Sequence, residues 1–172
     1  METFKFDASH PKTVKTIADL NNRLKMKAYL WAKLPMAAFS GLKVKNLTIH
    51  SAEVSLPYRW RSQNPFRSIY FAAQCAAAEL STGLLVLVAK AHAPALSMLV
   101  TGFEANFSKK ANETLIFRCD QGAEIIQAIE KAVRTGEGVT FEATTKGILP
   151  SGEIASEMKV NWSFKVKSKH LN

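Results

Sequence analysis

A single charged residue lies inside a long apolar stretch of the chain. Between residues 69 and 89 every position except Glu79 is uncharged, and most are Ala, Leu or Val. An ionised carboxylate in apolar surroundings costs free energy unless it is paired, hydrogen-bonded or protonated. Such groups concentrate at functional sites, so Glu79 is the first candidate for proton transfer. Alternatively, Glu79 caps a neighbouring element, forms an ion pair with an arginine such as Arg67, or lies on a solvated stripe.

Cys75 offers a second candidate for chemistry, because it precedes Glu79 by one helical turn and would share its face. A cysteine nucleophile needs a base that generates its thiolate, and the histidines at positions 10, 50, 92 and 170 are all distant in sequence. Buried thiols are usually inert. We therefore expect Cys75 to be a core residue.

Signatures of metal and cofactor chemistry are missing from the sequence. It contains no Walker phosphate loop, GxGxxG, HExxH, CxxC or GxSxG motif. Its histidines and cysteines never fall at the spacing of zinc ligands. We expect no metal site and no bound cofactor.

The run NPFRSIYFAAQCAAAE ends at Glu79 and carries a recognisable pattern. It begins at Asn64, places Tyr70 six residues later, continues with Phe71 and Ala72, and closes on Ala-Ala-Glu. This run resembles the signature of hotdog-fold thioesterases of the phenylacetate-pathway type. That signature has an asparagine, a His-Gly-Gly six residues later, and a helix whose acid ends a Leu-Ala-Asp-like triplet. The Ala-Glu-Leu at Glu79 and the following Thr82-Gly83 pair resemble an uncharacterised branch of unknown function within this superfamily.

The resemblance implies an acyl-CoA thioesterase in which Glu79 is the general base or nucleophile. It implies that Asn64 orients the thioester carbonyl or the attacking water. The backbone N–H groups near Phe71 and Ala72, at the positive end of the helix, would polarise the carbonyl. The resemblance also implies a homodimer, or a tetramer built from such dimers, with the site at the dimer interface.

The same resemblance implies that substrate is bound by residues around the helix start, namely Arg67, Tyr70, Phe71 and Ala72, and by Thr82 further along. Tyr70 replaces the family's histidine and Phe71 replaces a glycine that permits close approach of substrate. Hotdog dehydratases need a catalytic histidine on this segment, so that chemistry is excluded. A bulky Phe71 favours one alternative, a non-catalytic protein that binds an acyl chain or lipid.

Basic residues near this run could hold the phosphates of a coenzyme. Arg59, Arg61 and Arg67 lie beside the site in sequence, and Lys165 and Lys167 lie on the last predicted strand. Ordinary surface charge is the alternative for each, and we favour it for the two lysines.

The leading segment predicts an amphipathic helix over residues 11–34. Ser9 is a capping residue and Pro11 falls in the first turn, where proline is favoured. Apolar residues then recur in steps of three and four, which describes one helical face. Between Lys12 and Lys45 eight basic residues accompany a single acid, Asp19. These charges indicate either a solvated helix face or, in a third functional hypothesis, a docking surface for an acidic partner.

Further along, the pattern predicts a strand and then the long helix. Alternating apolar residues from 42 to 58 change parity near Asn46 and Ser51, which predicts one long strand with bulges. The helix from 68 to 89 is apolar nearly all round, so it must be covered on most sides, as when a curved sheet wraps it.

The second half of the chain reads mainly as strands. Leu99, Thr101, Phe103, Ala105 and Phe107 share one parity and predict a strand face. After another strand, a short helix capped by Asp120 and closed by Gly136 is expected. Two more strands complete the chain. Consecutive strands favour an α+β antiparallel sheet, and we expect a hotdog core over residues 42–168 within one domain, 1–172.

Composition bounds the partners and the compartment. The 172 residues include 23 basic and 14 acidic side chains, a net charge of +9 that favours polyanions without fixing the fold. The lysines are scattered and no basic, aromatic nucleic-acid motif is present, so we expect no nucleic-acid partner. Two cysteines in apolar surroundings and an N-terminus without a secretory pattern predict a reducing, cytoplasmic location.

The apolar segment 69–89 is long enough to cross a bilayer. However, Glu79 near its middle, together with Gln74, Ser81 and Thr82, would be costly in lipid. We expect a buried core helix and no membrane span.

Overall fold

Six antiparallel strands form one sheet in the order β1-β2-β4-β5-β6-β3 in the computed structural model, which describes residues 4–167. The strands are β1 (Lys43–Leu47), β2 (Ala52–Leu56), β3 (Leu96–Phe107), β4 (Leu115–Cys119), β5 (Val139–Ile148) and β6 (Ile154–Val166). The helices are α1 (Pro11–Asn21), α2 (Arg23–Lys33), α3 (Pro35–Ser40), α4 (Phe71–Ala89) and α5 (Gly122–Thr135), with a 3-10 turn at Trp60–Ser62. The predicted α+β class, with an antiparallel sheet around a long helix and an extra helical segment at the N-terminus, is confirmed. The end of the predicted core, residue 168, lies outside the described residues.

The central helix α4 lies against β2, β4, β5 and β6. Its few polar side chains on the sheet side each find a partner. Gln74 accepts from the Ser156 hydroxyl at 3.0 Å, and the hydroxyls of Ser81 and Thr145 lie 2.8 Å apart. These bonds offset the desolvation of polar groups inside the core.

The length and composition of α4 also suit a membrane span, and it is the one such helix in residues 4–167. Its most apolar window is 67% buried inside the fold. This burial fits the expected core helix.

The start of α4 differs from the sequence prediction, which placed it at Ser68. The N–H of Ile69 donates to the carbonyl of Ala111, and that of Tyr70 donates to the carbonyl of Ser62, both at 2.7 Å. Because these two residues are tied to neighbouring loops, the chain is extended up to Tyr70 and the helix begins at Phe71.

The leading helix is divided where one continuous helix was expected. Asn22 is extended, with φ −72° and ψ 115°, and its side-chain oxygen accepts from the N–H groups of Leu24 and Lys25. It therefore ends α1 and caps α2. The cap of α1 is His10, whose Nδ1 accepts from the Lys12 N–H at 3.1 Å, rather than Ser9.

The two parity changes predicted in the segment 42–58 have different causes. Between Val44 and Asn46 the register of β1 and β2 shifts, which confirms a bulge near Asn46. At Ser51 the chain turns instead, with the Thr48 N–H donating to the Ser51 carbonyl at 2.9 Å. The predicted single strand is therefore a hairpin.

Strand β3 forms one edge of the sheet and contains a bulge that the sequence pattern did not indicate. The register with β6 shifts between Val100 and Gly102. Phe103 pairs with the buried Val160 and therefore faces the core side, whereas Leu99 pairs with Ser163 on the opposite face. The predicted shared face from Leu99 to Phe107 is therefore wrong.

Helix α5 ends as expected at Gly136, whose φ of 72° is the left-handed conformation that favours glycine. Its beginning differs, because Gln121 occupies the capping position without a side-chain bond. The expected cap, Asp120, instead accepts from the Arg118 guanidinium at 2.9 Å.

Candidate functional site

One stripe of α4 is less buried than the rest of the helix. Ala72, Cys75, Ala76 and Glu79 are half-buried, whereas the side chains toward the sheet are fully buried. The spacing of three and four residues places these positions on one helical face. The chain's own sheet therefore leaves the face that carries Glu79 partly open.

Glu79 lies on this stripe without a charged partner. Its Oε1 is 3.5 Å from the point that a Cβ on Gly83 would occupy, and the Trp162 indole approaches the same point to 3.5 Å. Among residues 4–167, no lysine or arginine forms an ion pair with it, so the alternative of a pair with Arg67 is not observed. Burial raises the pKa of the Glu79 carboxyl above its ordinary value.

The indole beside Glu79 is held by Thr82. The Nε1–H of Trp162 donates to the Thr82 hydroxyl at 3.0 Å, and this hydroxyl donates to the Glu79 carbonyl at 3.0 Å. Thr82 is fully buried. Its hydroxyl is therefore committed to positioning Trp162, and its predicted contact with substrate stays a prediction.

The N-terminus of α4 presents unsatisfied backbone donors. The carbonyl of Tyr70 accepts from the N–H groups of Ala73 and Gln74. No side chain caps the helix, and the N–H groups of Phe71 and Ala72 have no acceptor within residues 4–167. Such donors, at the positive end of the helix dipole, bind an anionic or polarised oxygen.

Two aromatic side chains flank these donors. The Tyr70 and Phe71 rings meet edge to face, with centroids 4.9 Å apart. Both are about half exposed, at 47% and 56%. The two rings therefore lie next to the unsatisfied N–H groups at the start of the helix.

A cleft of about 380 Å³ lies beside the helix start. It joins Asn64 and Tyr70 to the end of β3 at Phe107 and to the following Lys109 and Lys110. The ammonium of Lys109 pairs with Glu153, which leaves Lys110 as a cation of the cleft. The walls of the cleft are aromatic, and its cations suit an anionic group of a ligand.

Asn64 stabilises the loop that leads into this cleft. Its side-chain oxygen accepts from the N–H groups of Phe66 and Ser68, at 3.0 and 3.2 Å, and from the Ser68 hydroxyl at 3.1 Å. Within the described chain its Nδ2 makes no hydrogen bond. The free amide N–H groups can therefore donate to a ligand, whereas the oxygen is occupied.

Arg67 ends the same turn in a left-handed conformation, with φ 56°. Its N–H donates to the Asn64 carbonyl at 3.2 Å, and its side chain is exposed outside the lining of the cleft. Of the three arginines considered for phosphate binding, Arg61 lines a different cavity, between the leading helices and β1.

Cys75 shares the open face with Glu79, and burial raises the pKa of its thiol. A raised pKa keeps the group protonated near neutral pH, so it is a poor nucleophile. Cys75 is therefore half-buried on the open face rather than in the core, but its thiol is the inert kind that was expected.

Glu79 and the helix start are far apart within one chain. Seven residues separate Ala72 from Glu79, which corresponds to about 10 Å at a rise of ~1.5 Å per residue. The Glu79 Oε1 lies beside Gly83, on the side away from the helix start, so in this conformation one thioester carbonyl does not contact both groups of the same chain. If both act on one substrate, the second must come from another copy.

Sequence reasoning missed three residues of this region: Trp162, Phe107 and Lys110. Trp162 alternates as an ordinary inward residue of its strand, and Phe107 was assigned to a strand face. The Lys109-Lys110 doublet follows a predicted strand and carries no sequence signal of a binding site. Nothing in the local sequence indicates that Trp162 lies beside Glu79 or that Phe107 and Lys110 lie beside the helix start, because tertiary packing creates both contacts.

Comparison with solved structures identifies the fold. A Pseudomonas aeruginosa protein of unknown function, described as a probable thioesterase, has a TM-score of 0.70 and 16% identity, covering 87% of this chain and 99% of that chain. A Haemophilus influenzae thioesterase has a TM-score of 0.62 and 10% identity, with coverages of 87% and 94%. A thioesterase family protein from Silicibacter pomeroyi has a TM-score of 0.58 and 15% identity, with coverages of 90% and 99%. The fold is the hotdog fold, as the sequence resemblance predicted.

The sequence places the chain in one family of this class. A family model described as a domain of unknown function (DUF4442) matches residues 23–164. The chain belongs to this family. A comparison with curated proteins finds no match.

Proposed function

We propose that the protein is a cytoplasmic acyl-CoA thioesterase with Glu79 as its general base. One observation carries the proposal: a half-buried carboxylate with a raised pKa and no ionic partner in the described chain lies on the open face of the central helix. A general base is most effective when its pKa lies near the working pH, and burial moves the pKa of Glu79 in that direction. The thioesterase-like fold supports this chemistry over other proton transfers.

The proposed active unit is a homodimer in which each chain, 1–172, forms one domain. Two such dimers would form a tetramer. The outer edge of β3 has no neighbouring strand among residues 4–167, and it is 12 residues long. Phe103 and Phe107 lie exposed on its core side at 39% and 43%. A second copy would cover both this apolar surface and the open face of α4.

In the proposed dimer, each site combines the helix start of one chain with Glu79 of the partner subunit. The N–H groups of Phe71 and Ala72 bind the thioester carbonyl oxygen, and the Asn64 amide donates to the carbonyl or to water. Tyr70 and Lys110 complete the rim of the acyl and coenzyme site, and the exposed Arg67 stands outside it, where it would meet the coenzyme phosphates. This arrangement supplies both groups that one chain holds about 10 Å apart.

The proposed hydrolysis uses one water molecule and returns Glu79 to its carboxylate form. The Glu79 carboxylate takes a proton from water while the water oxygen bonds to the thioester carbon. The resulting oxyanion is stabilised by the N–H groups of Phe71 and Ala72. When the C–S bond breaks, its electron pair stays on sulfur, which takes the proton from Glu79. The products are a carboxylic acid and the free thiol.

The test is an assay of thiol release from acyl-CoA substrates of increasing chain length. Glu79→Gln should lower kcat by about 10²–10⁴-fold, the usual contribution of a general base. Cys75→Ala, on the same face, should retain activity. Equal rates for the wild type and Glu79→Gln would remove Glu79 from the mechanism.

A non-catalytic acyl or lipid binder is the second candidate, and the Tyr70–Phe71 ring pair favours it. The two rings stand at the helix start with centroids 4.9 Å apart, where a substrate carbonyl would have to approach. This alternative predicts saturable binding of acyl-CoA without thiol release. If the ring of Phe71 blocks hydrolysis, Phe71→Gly should open the helix start and increase thiol release.

A further inference from the structure

A second cavity, also about 380 Å³, lies between α1, α2 and β1. Its floor is apolar and consists of Leu20, Met26, Leu30 and Leu42, all buried. Four cations lie around it: Arg23, Lys27, Lys43 and Arg61. Among residues 4–167, no acidic side chain lines it. The cavity therefore combines an apolar interior with a positive rim.

Large apolar side chains are exposed next to this cavity. Leu24 and Trp31 are 78% and 49% exposed, and their spacing of seven residues places them on one face of α2. Phe39 of α3 and Trp60 stand edge to face with centroids 6.4 Å apart, and the Arg61 guanidinium lies over the Phe39 ring at 5.8 Å. Trp31 and Arg61 also line the cavity, so the exposed rings and the cationic rim form one continuous surface. We call this the α2–α3 surface; it comprises Arg23, Leu24, Lys27, Trp31, Met36, Phe39, Lys43, Trp60 and Arg61.

The α2–α3 surface is separate from the proposed dimer interface. Helices α1 and α2 pack against β1, at one edge of the sheet, whereas β3 forms the opposite edge. Formation of the proposed active dimer would therefore leave this surface uncovered.

The positive charge of the α2–α3 surface limits which partner can cover this surface. Asp19 is the single acid between residues 10 and 45, and it is already paired with Lys15 and Lys25. A second copy docking symmetrically would place these cations against themselves, which is unfavourable. Exposed Leu24 and Met36 have no role in binding a nucleic-acid backbone. An anionic lipid surface suits both the exposed apolar side chains and the positive charge of the α2–α3 surface. It accepts apolar and aromatic side chains at the interface and attracts Lys and Arg.

We propose that the α2–α3 surface docks the protein peripherally on an anionic phospholipid bilayer. The side chains of Leu24, Trp31 and Trp60 enter the interfacial layer, where tryptophan is favoured. The cations Arg23, Lys27 and Lys43 contact lipid phosphates. The inference does not depend on the proposed catalytic role of Glu79.

The test is co-sedimentation of the full chain with phosphatidylcholine vesicles that contain or lack phosphatidylglycerol. Binding should require phosphatidylglycerol, weaken with salt, and persist in excess soluble glycerol phosphate. Lys27→Glu/Lys43→Glu should weaken binding at least tenfold. Trp60→Ala should weaken it several-fold while keeping the salt dependence. The matched control is Lys131→Glu/Arg134→Glu on α5, which reverses the same number of charges away from the α2–α3 surface. This control should bind the vesicles much more tightly than Lys27→Glu/Lys43→Glu.

Circular dichroism confirms that each variant is folded before it is compared. The proposal is overturned if the wild type does not bind anionic vesicles, or if both charge-reversal variants lose binding equally. It is also overturned if soluble polyglutamate removes the protein from vesicles at charge-equivalent concentration, because the surface then prefers an acidic peptide. Hydrolysis of acyl-CoA in solution is measured in parallel, and its loss or retention bears only on the proposed thioesterase function.

Discussion

The indole of Trp162 on β6 and the hydroxyl of Thr82 on α4 are joined by a 3.0 Å hydrogen bond. This bond holds the ring against Gly83, one helical turn after Glu79. The carboxylate is therefore flanked by an apolar wall that water cannot enter from that side, which explains why burial raises its pKa. A contact between the sheet and the helix thus sets the chemistry of the candidate base.

Removing the Thr82 hydroxyl should destabilise the protein. Thr82→Val keeps the shape of the side chain but leaves the Trp162 N–H buried without an acceptor, which costs about 1–3 kcal/mol. Urea unfolding measures the loss. Thr140→Val, on an exposed position of β5, is the control and should change the free energy of unfolding by less than about 0.5 kcal/mol. If the two variants were equally stable, the bond to Trp162 would contribute nothing.

Glu79 should make stability depend on pH. Because its pKa is raised in the folded state, folded chains bind more protons than unfolded chains above the ordinary value of 4.5. Its contribution to the free energy of unfolding is therefore full below about pH 4.5 and is lost as the pH rises through the raised pKa. Glu79→Gln lacks this titration.

Denaturant unfolding of wild type and Glu79→Gln at several pH values measures this effect. The stability of the wild type relative to the variant should fall as the pH rises from about 4.5 toward neutrality. A difference that stays constant over this range would mean that Glu79 titrates alike in the folded and unfolded chains.

A charge on the core side of β3 should prevent dimer formation. Phe103→Glu would place a carboxylate on the surface that the second copy is proposed to cover, where an unpaired buried charge is strongly unfavourable. Light scattering should report a monomer, and thiol release should be lost. Val14→Glu on α1, at the opposite edge and 53% exposed, should leave a dimer. A Phe103→Glu protein that is still dimeric would place the interface elsewhere.

The sequence was sufficient for the fold class and for the position of the candidate base. An apolar segment whose one charge is Glu79 predicted a helix covered on most sides, and the motif from Asn64 onward predicted the hotdog fold. Local signals did not separate α1 from α2, because an asparagine such as Asn22 is tolerated in a helix and also caps one. The β3 bulge that turns Leu99 away from Phe103 depends on pairing with β6. The cleft at Lys110 depends on the same pairing.

In the proposed dimer, each site takes Glu79 from one chain and the N–H groups of the helix start from the other. Phe71→Pro removes one of these N–H groups at the first helical position, where proline is tolerated, and the preceding Tyr70 is already extended. Phe71→Ala is the control, since it removes the ring but keeps the N–H. We expect Phe71→Pro to fold and to lose about 10²–10³-fold in kcat relative to Phe71→Ala.

The direct measurement is the activity of mixed dimers, prepared by unfolding and refolding Glu79→Gln and Phe71→Pro chains together in equal amounts. Half of the dimers would then contain one chain of each kind, and one of their two sites would be intact. The mixture should recover about a quarter of the wild-type thiol release, although each variant alone is nearly inactive. A mixture no more active than the two separate variants would contradict a site shared between two chains.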